Sequence, residues 1–260
     1  MNDGLDKTKF FNNVRIVAKQ KDMKIGELES AAGVSLGYIS RTNKDSGTKP
    51  GIDFAVNISR ILGVSLDSLV SRDLSKMTPT EIRLVSFIEK MIRKTQDDEL
   101  CWIRESVDEL NTQVTIDGEG RCSHPLFTAC TRTDSNGEKV PCAVFVSRKY
   151  ELTTHIVGDC FHFYMKNGTA LYIMNVVHNR SYYDSDCVRE IWMCPNGGDS
   201  QFVCFSDDKN EEIAKLVDSL YDVVGKSCMH PQFNQYVEKS IDFFMDDSES
   251  NEPEVLDLGF

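Results

Sequence analysis

The stretch from Ile25 to Pro50, IGELESAAGVSLGYISRTNKDSGTKP, constrains the fold of this chain more than any other. A short helical segment ends at Ala32, Gly33 supplies a turn, Val34 follows, and Ser35 is placed to open a second helix. The residue between two closely joined helices often takes positive φ, which glycine adopts at no steric cost. Val34 and Ile39 have the character and spacing to seat the second helix on the first. Ser35 can cap that helix by accepting a backbone N–H bond. A second helix held steeply to the first can enter a DNA major groove and turn its outer face to base edges.

The pattern extends on both sides of this joint. Val14, Ile16 and Ala18 lie on a first helix, and Leu28, Gly33-Val34-Ser35 and Ile39-Ser40-Arg41 follow in order. Pro50 precedes a fourth helix, and Gly63-Val64-Ser65-Leu66-Asp67-Ser68-Leu69 reads as a helix stop, a serine cap and two docking leucines. From Phe10 to Ser71 the chain thus resembles the lambda-repressor/Cro-like (Xre-type) helix-turn-helix domain, a bundle of five short helices. The resemblance implies double-stranded DNA as partner and regulation of transcription, with repression as the family habit.

Several residues depart from the family pattern. Glu29 stands where the family usually has alanine, between the two helices, so its carboxylate is expected to swing to solvent or to open the joint. Ile25 replaces a polar residue that contacts phosphate. Leu36 and Gly37 occupy positions that often read bases; leucine can touch a thymine methyl, and glycine offers no side chain. The expected DNA-facing set is Ser35, Leu36, Tyr38, Arg41, Asn43, Lys44 and Lys49. Arg41 is the expected base reader, because guanidinium matches guanine O6 and N7 in a bidentate fork. Lys44 and Lys49 are expected on phosphates, which position without specifying. Ile25, Glu29 and Gly37 favour a rival reading, an antitoxin-like or inhibitory module that uses these helices against protein.

Net charge is −12, yet its distribution is uneven. Residues 1–72 hold 11 Lys and Arg against 8 Asp and Glu, a balance of +3, while the remainder carries −15. Only the first segment would attract a phosphate backbone. At +3 its affinity should be modest, so pairing of two copies is expected. No apolar run approaches the length of a membrane span, and the N-terminus reads MNDGLDKTK, without a signal peptide. A cytoplasmic, reducing setting follows as an expectation, with no membrane partner and with free thiols.

All nine cysteines lie beyond residue 100 and none is spaced as CxxC. Packing as small apolar residues is the expected role, with metal binding or redox sensing as alternatives. Cys160 and His162 would share one strand face, but no third group orients the base, and Gly158-Asp159-Cys160-Phe161 lacks the serine of the self-cleaving peptidase domain of phage repressors. No enzymatic activity, cofactor or metal is expected.

Beyond Leu74, Thr78-Pro79-Thr80-Glu81 is a capping box that opens a helix with Ile82, Val85, Ile88 and Ile92 at helical spacing. A second helix is expected from Asp97, carrying Leu100, Ile103, Val107 and Leu110, with Trp102 off its stripe. Strands are expected over Cys142–Ser147, Leu152–Val157, Phe161–Met165, Ala170–Val177, Val188–Cys194 and Phe202–Phe205, with Asn167-Gly168 and Asn196-Gly197 marking turns. A helix capped by Asp208 and another over Pro231–Met245 lead to an acidic, disordered tail. The expected architecture is α+β: a five-helix bundle (1–72), a helical hairpin (73–112), an antiparallel-sheet domain with C-terminal helices for dimerisation or for sensing a small-molecule or protein effector (113–245), and the tail (246–260). Either the stripe Ile82–Ile92 or an edge of the Phe161–Val177 hairpin is the expected dimer seam.

Overall fold

The computed structural model describes residues 6–45, 47–146, 154–181, 184–196 and 198–229. The expected helix Pro231–Met245 and the acidic tail lie outside the described residues.

Five helices build the N-terminal unit: α1 (Lys7–Gln20), α2 (Ile25–Ala31), α3 (Tyr38–Lys44), α4 (Ile52–Leu62) and α5 (Leu66–Ser71). Each boundary has a local cause. Asp6 accepts from the Lys9 amide at the start of α1, and Ser65 accepts from the Ser68 amide at the start of α5. Gly33 (φ 75°) and Gly63 (φ 61°) close α2 and α4 in the left-handed region. Phe10, Phe11, Val14, Leu28, Ile39, Ile58, Leu62 and Leu69 are buried together in one core. That core does not end at residue 72. Leu74 and Ile82 belong to it, and the buried Asn13 amide donates to the Leu69 and Arg72 carbonyls while accepting from the Leu74 N–H.

A short 3-10 turn (Leu74–Lys76) leads into α6 (Pro79–Gln96), which begins with the expected capping box between Thr78 and Glu81. Ile82 completes the first core, whereas Val85, Ile88 and Met91 on the same helix enter the second. The helical hairpin expected over 73–112 does not form. Asp97 caps the end of α6 rather than opening a new helix, and Asp98 turns left-handed (φ 53°) so that the Glu99 N–H reaches the Lys94 carbonyl. Trp102 then docks edge-on against Phe163 and donates its indole N–H to Thr95 at 2.9 Å. With Trp102 fixed, Ile103–Ser106 extends as strand β1, and helix resumes only at α7 (Val107–Gln113).

The main sheet is antiparallel, in the order β1-β4-β5-β6-β7, with β4 (His155–Tyr164), β5 (Ala170–Ser181), β6 (Asp184–Cys194) and β7 (Gln201–Phe205). The two strands expected before and after Gly158 are one: Gly158 (φ 70°) sits in a bulge between Val157 and Cys160 that lets β4 continue. Period-two alternation sorts the side chains. Phe161, Phe163, Leu171, Ile173 and Ile191 face α6 and α8 (Glu211–Met229), while Ile156, Cys160, Tyr172, Met174, Val176 and Trp192 face α7 and a separate ribbon, β2 (Phe127–Thr133) with β3 (Lys139–Phe145). Asn210 caps α8 by accepting the Glu212 amide, and Asp208 instead accepts from Asn210. The class is α+β. Both expected dimer seams are used within the chain, since the α6 stripe is buried in the two cores and β4 and β5 are interior strands.

Candidate nucleic-acid interface

The joint between α2 and α3 differs from its expected form in a way that explains its unusual residues. Helix α3 begins at Tyr38, with Gly37 (φ 79°) at the cap position, so Ser35 does not cap it. The Ser35 carbonyl accepts the Tyr38 N–H, making a turn of residues 35–38. The capping comes from α2. Glu29 is buried, not turned to solvent, and its carboxylate accepts from the Gly37 amide at 2.6 Å and from the Ile39 amide at 2.8 Å. Two amides at the start of α3 thus find a charged acceptor where the helix dipole favours one.

Arg41 lies back over this turn. Its guanidinium donates to the Leu36 carbonyl at 2.9 Å and to the Ser35 hydroxyl at 2.6 Å. A Cβ on Gly37 would meet that guanidinium at 3.2 Å, so glycine here serves both the positive φ and the seat of Arg41. At the other end of α3, the Lys7 ammonium donates to the carbonyls of Thr42 (3.1 Å), Thr48 (3.2 Å) and Asp45. A cation there satisfies carbonyls that the helix leaves unpaired. Asp45 bonds Thr48 and the Gly47 amide, which hold its carboxyl below the usual range and fix the loop after α3.

The expected site residues divide. Ser35, Leu36, Arg41, Lys44 and Lys49 are exposed, and Ser35, Leu36 and Arg41 are joined by hydrogen bonds. Leu36 is 66% exposed, unusual for a leucine on a small folded unit. Tyr38 is half-buried with its ring 4.7 Å from that of Phe54. Asn43 is also half-buried, and its side-chain oxygen is enclosed without a hydrogen-bond partner. Lys7 went unforeseen, because the contact spans 35 residues and leaves no local sequence signal.

The body buries two polar clusters on the sheet face that packs against α7 and the ribbon. His178 Nε2 lies 2.8 Å from Glu190 Oε1, the other Glu190 oxygen accepts from the Trp192 indole at 2.8 Å, and the Thr154 hydroxyl meets His178 Nδ1 at 3.3 Å. All four side chains are buried, so the chain closes a core rather than facing a reactant. His162 stands 3.2 Å from Glu105 and is also buried; burial lowers its pKa despite that carboxylate. Cys160 is fully enclosed, and burial pushes its thiol well up, against the thiolate a nucleophile needs. Burial also raises Cys194, and it raises Cys204 to about 12. Among the described residues no group of three or more His, Cys, Asp or Glu side chains is placed to hold a metal ion, and no helix is long and apolar enough to cross a membrane.

The N-terminal unit and the body are joined through Arg72. Its guanidinium pairs with Glu89 on α6 at 2.8 Å and with Glu212 on α8 at 3.2 Å, and the Ser68 hydroxyl bonds Glu89. Asn210 adds a bond to Glu81 at 3.0 Å. No family model, curated protein or solved structure matches this chain.

Proposed function

We propose that this chain is a sequence-specific DNA-binding regulator of transcription, with α3 and the turn before it as the reading element. The observation that carries this reading is the exposed trio Ser35, Leu36 and Arg41, held at the start of α3 by a cap supplied from α2. Arg41 spends two donors on the turn and keeps others for a guanine edge, while Leu36 offers an apolar contact to a thymine methyl. Lys44 and Lys49 supply phosphate contacts, consistent with the +3 balance of residues 1–72. The resemblance to Xre-type domains and the five-helix order of residues 7–71 support the same reading.

A head with so few readers gains specificity by pairing, so the chain acts as a dimer on an inverted repeat, as a repressor by analogy with the family. With α6 and the β4–β5 hairpin used internally, the pairing surface lies elsewhere. Selection of bound sequences from a random duplex pool tests the reading. A recovered inverted repeat with half-sites about 34–36 Å apart, or a multiple, is expected. Failure to enrich any sequence counts against it.

One observation favours a protein partner instead. Leu36 and Ile52 are 66% and 68% exposed on the N-terminal unit, which would suit an antitoxin-like or inhibitory contact.

A further inference from the structure

The ribbon β2–β3 is paired to itself and not to the main sheet. In it Cys130 and Cys142 are directly opposed, with their sulfur atoms 3.0 Å apart. Opposed residues on antiparallel strands have Cα atoms about 4.5–5.5 Å apart, inside the span a disulfide closes without moving the backbone. The turn fixes this register. The Asp134 N–H donates to the Glu138 carbonyl, its carboxylate accepts the Asn136 and Glu138 amides, and Gly137 takes φ 84°. Neither cysteine belongs to the three apolar cores, so packing does not account for the pair. Both are half-exposed, unlike the buried Cys160, Cys194 and Cys204.

We propose that Cys130 and Cys142 form a reversible disulfide clasp, closed by exchange with a small-molecule disulfide. One cysteine thiolate attacks the oxidant's S–S bond, forming a mixed disulfide and expelling one small thiolate. The second cysteine thiolate then attacks the protein sulfur of that mixed disulfide and expels the other. The protein loses two hydrogens, the oxidant gains them as two thiols, and the released thiolates take up the protons.

The clasp has a defined place to act. A two-stranded ribbon alone is marginally stable. The inner end of this one packs Phe145 edge-on against Trp192 and, with α7, forms part of the wall of a cleft of about 250 Å³ lined by Val107, Leu110, Phe127, Phe145, Thr154 and Ile156. Closing the clasp stiffens that wall, and reducing it loosens the wall.

The full chain is incubated with glutathione disulfide, residual thiols are alkylated, and peptides are mapped. A Cys130–Cys142 crosslink two hydrogens lighter than the dithiol, reversed by dithiothreitol, is expected. It should survive in a Cys101→Ser/Cys187→Ser background, which removes two exposed competitors. Amide exchange in residues 127–145 should slow by about tenfold or more on oxidation, with α1–α5 unchanged. Cys142→Ser should lose both the crosslink and the slowing. Separate glutathione adducts on the two cysteines, a crosslink elsewhere, or equal ribbon exchange in both redox states overturns the proposal.

Discussion

The carboxylate of Glu29 on α2 accepts the backbone N–H of Ile39 on α3 at 2.8 Å, so the second helix of the joint is capped by the first. The other carboxylate oxygen takes the Gly37 amide, and the side chain is only 2% exposed. Replacing Glu29 by alanine leaves the buried Ile39 amide and the half-buried Gly37 amide without their acceptor, at a cost of roughly 1–3 kcal/mol. Glu29→Gln keeps one acceptor and should lose less. Denaturant unfolding of the three proteins checks the order; an alanine variant as stable as the parent removes the capping account.

Arg72 is the second point where one residue joins separate elements. Its side chain is 12% exposed between Glu89 and Glu212. Arg72→Ala strands the half-buried Glu89, and truncating one partner of a buried pair costs about 3–5 kcal/mol, less where water reaches it. The N-terminal unit should then melt apart from the body, giving two transitions in calorimetry where the parent gives one. A single, unshifted transition would show that Arg72 does not couple them.

Burial, with repulsion from His162 as the smaller cause, lowers His124 from 6.5 to about 4. The folded ring therefore stays neutral in a range where the unfolded ring takes up a proton. As pH falls from about 6.5 to about 4, the unfolded state gains protons that the folded state does not, and stability drops. The drop cannot exceed about 1.4 kcal/mol per pH unit, because one ring takes up one proton, and solvent reaching the partly exposed ring makes it smaller. Parent and His124→Gln melting temperatures compared at pH 7 and pH 4.5 check this, since shared carboxylate effects cancel; the variant should lose less. Equal losses contradict it.

The parts legible in the sequence were those whose cause is local. Gly33, Gly63, Ser65 and the Thr78–Glu81 box mark helix ends through their own backbone or side chain, and each stands where it was expected. The strands of the main sheet followed from alternation, apart from β1. Over β1, Leu100, Ile103, Val107 and Leu110 mimic a helical stripe; Asp97-Asp98 closes a helix as readily as it opens one, and Trp102 docking decides between them. At the joint, Ser35 looked like a cap by local grammar. The actual acceptor, Glu29, lies eight residues before the first amide it caps, and it looks like a misfit only because the resembled family usually has alanine there. Lys7 and Arg72 act across longer separations still, which no sequence period encodes.

Arg41 and Lys44 should differ in kind. Arg41→Ala should cost roughly 1–3 kcal/mol on the preferred DNA sequence and relax its preference. Because Arg41 also holds the Ser35–Leu36 turn, a small loss of stability should accompany it. Lys44→Ala should weaken all sequences about equally. Binding measured on preferred and scrambled duplexes separates the two effects; an Arg41 variant with undiminished preference would move readout to Leu36, the backbone or DNA shape.

DNA binding itself is tested most directly by the salt dependence of the full chain's affinity for duplex DNA. Neutralising phosphates releases counterions, so log K should fall linearly with log salt, at about −0.9 per phosphate contacted. A slope of several units is predicted, reduced by about one in Lys44→Ala. A flat salt response, or no binding at low salt, would contradict the account and leave the exposed Leu36 and Ile52 as a surface for protein.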